Sequence, residues 1–455
     1  MFDLLFKNGT IVTADRTFEA AIGVKDGKIV YIGTDSNMDA KEVVDANGKY
    51  IMPGGIDPHA HIQWPNWDWE EDCVCTTKSA AAGGVTTIIH YLNEPRDLIE
   101  QFEQRVVQYE KNAIVDAAFH EGIFDENEIS EIREMSTKRG ICSYKFYLPY
   151  RGSEAVGNLV GIDDGIIYLG FKEIGKLTHP ALACIHAENA EVFFRLKEDF
   201  IKQGITPYWT DTRPNWVEVE SIRRVVAFAK ATGCPLYLVH LTTREAEEEI
   251  LRARAEGVTC IGETCPQYLV LNIDNVDNTM GKINPPIRRK EDNEALWKAI
   301  QNGVITCIGS DSGDVASKDK KEFWSAIVGT AQLQTMLPII FSEGVNKGRI
   351  DINKAVAITS TNAAKTFGLY PQKGTIEVGS DADIIIVDMD LEREVHMKDM
   401  YYINDFTVYE GWKFKGWPVE TFVRGTRVMK DNNIMVEPGY GKYVPRYAKV
   451  REEYC

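Results

Sequence analysis

The sequence predicts an α/β fold: a (β/α)8 barrel carrying a small β-sandwich built from both chain ends. Two observations lead there. Through the middle of the chain, short apolar strand candidates alternate with helix-period segments, and they number eight between residues 51 and 308, the arithmetic of a (β/α)8 barrel. Both ends read as short strands joined by turns, without helical periodicity. A doubly wound open sheet is the competing architecture, and it is disfavoured because no glycine-rich phosphate fingerprint follows the first strand.

Within residues 1–50, strands are expected at Phe2–Lys7, Thr10–Val12, Ala20–Lys25, Lys28–Ile32 and Glu42–Asp45, with Asn8-Gly9 and Asp26-Gly27 as turns that tolerate positive φ. Residues 374–438 read alike: Gly379-Ser380-Asp381-Ala382-Asp383 opens a strand Ile384–Val387, and Glu420–Arg424, Gly425 and Thr426–Met429 form a hairpin. These two segments are expected to complete one β-sandwich domain around a barrel of residues 51–373. The barrel strands are expected at Ile51–Ile56, Thr86–His90, Ile114–Phe119, Ile141–Phe146, Leu182–His186, Leu236–His240, Val258–Ile261 and Ile305–Ile308. Ile99–Lys111, Val217–Thr232 and Glu245–Glu256 carry helical periodicity between them. The last segment, 439–455, is basic and aromatic and is expected to be an arm packing on a neighbouring subunit.

With 455 residues, 44% of them hydrophobic, there is material for a large core and no case for disorder. A net charge of -17 argues against nucleic acid and anionic membranes as partners. No apolar run reaches the length of a membrane span, and Met1-Phe2-Asp3-Leu4-Leu5 lacks the features of a signal peptide. The nine cysteines are odd in number, and several sit inside apolar runs. A reducing, cytoplasmic location is expected.

The chemistry starts at Pro58-His59-Ala60-His61. Histidines at i and i+2 of a strand share a face and make a clamp for a divalent metal. Barrel active sites lie at the C-terminal ends of the strands, and the residues expected there are His59 and His61, Lys145, His186, His240 and Asp311. Of eight histidines in the chain, four fall in this set. Each has a plainer reading alone: a core histidine for His186 or His240, a surface lysine for Lys145, a helix N-cap for Asp311 in Ser310-Asp311-Ser312. Together they read as a site. His59, His61 and Asp311 offer one metal two nitrogens and an oxygen, and His186 and His240 offer a second metal two nitrogens. An ammonium has no acceptor to bridge them. A buried lysine of lowered pKa is partly neutral and can capture carbon dioxide as a carbamate, and Lys145, in Ser143-Tyr144-Lys145-Phe146-Tyr147, is placed for it.

These residues closely resemble the cyclic-amidohydrolase branch of the amidohydrolase superfamily, the hydantoinases and dihydropyrimidinases, with allantoinases and dihydroorotases as cousins. The resemblance spans nearly the whole chain. It rests on Pro53-Gly54-Gly55-Ile56-Asp57-Pro58-His59-Ala60-His61, Ile185-His186-Ala187-Glu188-Asn189, Arg213-Pro214 and Pro235-Leu236-Tyr237-Leu238-Val239-His240. It continues through Gly262-Glu263-Thr264-Cys265-Pro266-Gln267-Tyr268-Leu269, Asn284-Pro285-Pro286-Ile287-Arg288, Gly309-Ser310-Asp311 and Phe367-Gly368-Leu369-Tyr370-Pro371-Gln372-Lys373-Gly374. It implies a TIM-like barrel with a small β-sandwich, a carboxylated Lys145, and two divalent metal ions per subunit, most often Zn2+, with Mn2+ or Fe2+ also suited to the ligands. It also implies ring opening of a cyclic amide by a metal-bridging hydroxide, with Asp311 as general base and then acid. Tyr150, five residues after Lys145, matches the family tyrosine that steadies the oxyanion. A homotetramer is implied by the same analogy.

The substrate pocket departs from the family. Gln63 stands where dihydroorotases carry the arginine that grips a substrate carboxylate, which disfavours that activity. Ser312-Gly313-Asp314 replaces His-Cys-Pro. Ile327-Val328-Gly329 replaces Pro-Asn-Gly, so that a main-chain contact to the ring falls to Val328. Asn284 replaces a serine, again as a main-chain contact. Gln63-Trp64-Pro65-Asn66-Trp67-Asp68-Trp69 is rich in tryptophan, with Trp64 expected against a flat ring and loop packing as the alternative. Glu70, Glu71 and Asp72 read as a solvated face. The expected activity is hydrolysis of a hydantoin- or dihydropyrimidine-type ring. The alternatives are an allantoinase, a cyclic-imide hydrolase with an altered pocket, or a non-catalytic scaffold of the same fold, which should have lost several of the six ligands.

Overall fold

The computed structural model of the chain describes residues 1–93, 98–152 and 161–454. Eight parallel strands form the central sheet: Gly55–Ala60, Val85–Leu92, Asp116–Gly122, Ser143–Tyr147, Leu182–His186, Leu236–Leu238, Cys260–Thr264 and Ile305–Ile308. They pair in chain order. The ring is drawn shut where the first strand meets the segment after the eighth. Ala60 bridges Ser312, and the buried Asp57 carboxylate accepts from Ser310 N at 2.8 Å and Ser310 Oγ at 2.6 Å. Inside lie Ile56, Ile89, Ala118, Cys184 and Val239, backed by Phe367 and Leu369. Helices at Leu98–Asn112, Asn215–Thr232 and Ala246–Ala255 occupy the positions expected from periodicity.

The expected first barrel strand, Ile51–Ile56, is in fact two. Tyr50–Pro53 pairs with Ile384–Glu394 in another sheet, and the barrel strand begins at Gly55. Gly54 makes the transfer possible, because a Cβ there would meet Thr86 Oγ1 at 2.1 Å. The sixth strand stops at Leu238 rather than reaching His240, whose φ of 38° leaves extended geometry.

The remaining strands form a four-stranded and a seven-stranded sheet. They face each other across one core, with Leu4, Phe6, Ile22 and Val24 on one side and Ile11, Ile51, Ile384 and Phe422 on the other, a sandwich in the ordinary sense. The seven-stranded sheet mixes strands from both chain ends. The buried Lys373 ammonium links barrel and sandwich, reaching Asp116 at 2.8 Å, Asp381 at 3.1 Å and Asp383 at 2.6 Å.

Cys455 lies outside the described residues, and residues 439–454 pack on the barrel of their own chain. Tyr443 bridges Ala117, Val450 bridges Leu177, and the Tyr443 ring stacks on Phe119 with centroids 5.2 Å apart. The buried Arg446 donates to Ser143 Oγ and to the Phe119 carbonyl. The aromatic and basic side chains that suggested an exchanged arm find their partners at the N-terminal ends of the chain's own strands. No helix among the described residues is long and apolar enough to cross a membrane.

Candidate metal centre

One cavity at the C-terminal end of the barrel is lined by His59, His61, Lys145, His186, His240 and Asp311. All six expected ligands thus converge. The donor atoms of His59, His61 and Asp311 lie within 4.8 Å of one another, with Asp311 Oδ1 3.2 Å from His59 Nε2 and 3.3 Å from His61 Nε2. On the other side the His186 and His240 rings stand 4.3 Å apart, and His59 and His240 are 5.3 Å apart. Lys145 Nζ lies between, 3.5 Å from His59 Nε2 and 4.5 Å from the centre of the Tyr91 ring.

The electrostatics suit ligation. Burial pushes His59 and His240 well below the ordinary histidine range and lowers His186 too, so all three present neutral imidazoles, the form that binds a metal. Burial also brings Lys145 down to about 8, which leaves a fraction of neutral amine at neutral pH. Asp311 and His240 adopt φ of 51° and 38°, the left-handed region that non-glycine residues enter seldom and that clusters at functional sites.

Residues to which sequence reasoning gave no role hold the ligands. Glu263 accepts from His59 Nδ1 at 2.7 Å, from His240 N at 2.9 Å and from Tyr237 at 2.8 Å, turning His59 Nε2 toward the cavity. Glu188 accepts from His186 Nε2 at 2.8 Å, which leaves Nδ1 of that ring for the cavity. Burial would raise the Glu188 carboxyl, but Arg213, 3.3 Å away, together with His186 and Arg288, holds it at about 2. Such outer partners fix tautomer and ring orientation. Glu188, Arg213, Glu263 and Gln267 all stood inside the family-like stretches, and that was the only signal for them. Of the histidines outside the set, His90 and His120 are buried, and His120 behaves as a plain core group, bound to Ser143 Oγ and the Pro58 carbonyl.

The pocket contacts divide. Tyr150 lines the cavity with its ring edge-on to His186 at 5.4 Å, and Trp64, Asn284 and Val328 also line it. Gln63 does not. Its φ of 71° turns it away, and its carboxamide oxygen accepts from Arg105 at 3.1 Å. Asp72 is buried rather than solvated, because it caps the turn beneath Gln63, accepting from Gln63 N at 2.6 Å and Thr76 Oγ1 at 3.0 Å. Trp67 donates to the Asp314 carbonyl and is loop packing. Trp64 donates to the Val328 carbonyl at 2.8 Å. A Cβ at Gly313 would come within 2.8 Å of the Trp64 ring, and one at Gly329 within 2.7 Å. Gly313 therefore makes room for the indole. The space left is about 40 Å3, on a scale where one water needs about 10–15 Å3.

Residues 179–428 match the amidohydrolase family model. A D-hydantoinase of Geobacillus stearothermophilus is 37% identical, covering 97% of this chain and 96% of its own. The chain belongs to the amidohydrolase family. An allantoinase of Bacillus licheniformis is 34% identical over 98% of this chain and 100% of that one. Among solved structures, the L-hydantoinase (dihydropyrimidinase) of Arthrobacter aurescens superposes with a TM-score of 0.92 at 34% identity, covering 98% and 100% of the two chains.

Proposed function

We propose that this protein opens the ring of a neutral cyclic amide or ureide by metal-assisted hydrolysis, adding water across one ring C–N bond. The observation that carries the reading is the convergence of three buried histidines, the half-buried His61, Asp311 and Lys145 on a cavity whose described lining offers no cation but Lys145. A substrate carboxylate would find no arginine there. Relatives named for hydantoin and allantoin hydrolysis support the same class.

His59, His61 and Asp311 would hold one divalent ion, and His186 and His240 a second. Lys145 Nζ would add to carbon dioxide, forming an N–C bond and losing a proton, and the resulting carbamate has two oxygens to share between the ions. Imidazole and carboxylate donors suit zinc, manganese or iron. When bound, such a pair supplies activated water at neutral pH and polarises the scissile carbonyl. Asp311 is the one carboxylate in the set that reaches open space, its side chain 14% exposed. It accepts the proton that the attacking water gives up and returns it to the departing ring nitrogen. Tyr150 stands beside His186, where its hydroxyl steadies the charge that develops on the carbonyl oxygen. Trp64 and Tyr147 wall the flat ring, and the main chain at Asn284 and Val328 borders it. The eight described cysteines are all free, which supports a reducing compartment.

The test is a panel of dihydrouracil, 5-substituted hydantoins, allantoin and cyclic imides given to metal-replete protein and scored for the ring-opened acid. Turnover of one or more is expected. Turnover of none would overturn the proposal, and purified protein devoid of metal would favour a non-catalytic scaffold. Turnover confined to allantoin would make the chain an allantoinase.

A further inference from the structure

Four buried polar atoms on side chains lining the cavity have no partner among the described residues. Two are imidazole nitrogens of His61 and His240. The others are Asn284 Nδ2 and Gln267 Oε1. Asn284 is 6% exposed and Gln267 is 1% exposed, so water does not reach them freely, and an unpaired buried amide is costly.

The orientation of each carboxamide is dictated by chemistry. Trp209 Nε1, which can only donate, lies 3.0 Å from one end of the Asn284 side chain. That end must be the oxygen, and the NH2 is left over. The Ser310 carbonyl, which can only accept, lies 3.1 Å from one end of Gln267. That end must be the nitrogen, and the oxygen is left over. Neither can flip without setting donor against donor or acceptor against acceptor. Trp209 is itself held, with the Lys282 ammonium 4.3 Å and the Arg213 guanidinium 4.9 Å from the ring. The main-chain acceptor on this wall, the Val328 carbonyl, already receives the Trp64 indole.

We infer that Asn284 and Gln267 form a fixed donor–acceptor pair that reads the part of the ring not being cleaved, Asn284 Nδ2 donating to the second ring carbonyl and Gln267 Oε1 accepting from the adjacent ring N–H. The inference rests on the ring-opening activity proposed above and narrows it. A ring bearing both groups, a ureide, satisfies the pair. A cyclic imide with CH2 in place of that N–H leaves Gln267 unpaired. Sites built to hydrogen-bond a substrate group discriminate against analogues that lack it.

The test compares hydantoin with succinimide and with 2-thiohydantoin, or, where the enzyme takes six-membered rings, dihydrouracil with glutarimide and 2-thiodihydrouracil. The wild type and the variants Asn284→Leu, Asn284→Asp and Gln267→Leu are used, each first matched to wild type in metal content and circular dichroism. Gln267→Leu is expected to lower the ureide-to-imide ratio of kcat/KM about tenfold. Asn284→Leu is expected to raise KM for the oxo ring about tenfold, while the thio ring, a poor acceptor, changes far less. Asn284→Asp keeps the acceptor for Trp209 but replaces the donor with a charge, and should be worse than Leu on the oxo ring. Equal losses on both members of each pair would mean the carboxamides only support the fold, and would overturn this inference while leaving the activity standing. Failure of wild type to open any of the rings would overturn both.

Discussion

Replacing Arg213 with methionine tests whether the ligand set depends on a charge the substrate never meets. Arg213 and Glu188 are both fully buried, with nitrogen and oxygen 3.3 Å apart. Across that distance, at an effective dielectric of about 20, their attraction is about 5 kcal/mol. The guanidinium also lies 3.7 Å from the centre of the Phe193 ring and 4.9 Å from that of Trp209. Methionine keeps the apolar stem and removes the charge. Glu188 is then a buried carboxylate short of its principal counter-charge, and truncating one partner of a buried pair costs about 3–5 kcal/mol. The penalty falls on the group that accepts from His186 Nε2 and so keeps Nδ1 facing the cavity. Losing such outer support lowers metal affinity about 10–100-fold. Arg213→Met is therefore expected to melt several degrees lower and to release metal at a much lower chelator concentration, with Arg213→Lys recovering part of both. The readouts are thermal unfolding and metal content after graded chelator dialysis. A variant that melts with wild type and holds its metal equally well would refute the reasoning.

Three further outcomes follow from the same geometry. Lys145→Met, with no amine to carboxylate, should lose one metal equivalent and nearly all activity, and gentle intact-mass measurement should find the wild type, but not the variant, heavier by one CO2. Unchanged metal stoichiometry would count against the bridging role. Trp64→Ala empties the notch between Gly313 and Gly329, so the kcat/KM ratio of a bulky 5-aryl hydantoin to unsubstituted hydantoin should rise about tenfold; an unaltered ratio would show that the indole does not set pocket size. Lys320 is buried with Lys282 close by, which together lower its ammonium from 10.5 to about 7. Between these values the unfolded chain binds the proton that the folded chain has lost, so the burden on stability is full below about pH 7 and fades toward pH 10.5. The thermal advantage of Lys320→Met over wild type should therefore shrink between pH 7 and 9.5, and an advantage constant across that range would contradict the shift.

Much of the fold was legible because it rests on local pattern. Strands such as Leu182–His186 and Ile305–Ile308, and the helix ending at Thr232, declare themselves by apolar runs and by period. The break at Gly54 did not, because Ile51 to Ile56 is one apolar run and only the approach of Thr86 divides it between two sheets. The seat of the tail was hidden for a related reason: basic and aromatic composition says that a segment packs, and only the fold shows it lying against the strand ends around Ala117 and Ser143 of its own chain.

The sequence by itself was enough to nominate the candidate ligands. His59 lies near the end of the first barrel strand and His61 just past it, and His186, His240, Lys145 and Asp311 lie at or near other strand ends, so the topology of a barrel is enough to bring them together. Only the tertiary structure decided how the pocket is shaped. Gln63 and Asp72, both expected to face outward or toward substrate, bind each other's surroundings. Trp64 fills a notch whose two glycines are 16 positions apart in the chain. Asn284 is oriented by Trp209, 75 residues away. The physical reason is that a metal ligand is chosen by element chemistry, which residue type reveals. A pocket contact is chosen by which atoms remain unpaired after every neighbour has taken its partner, and those neighbours meet only when the chain is folded.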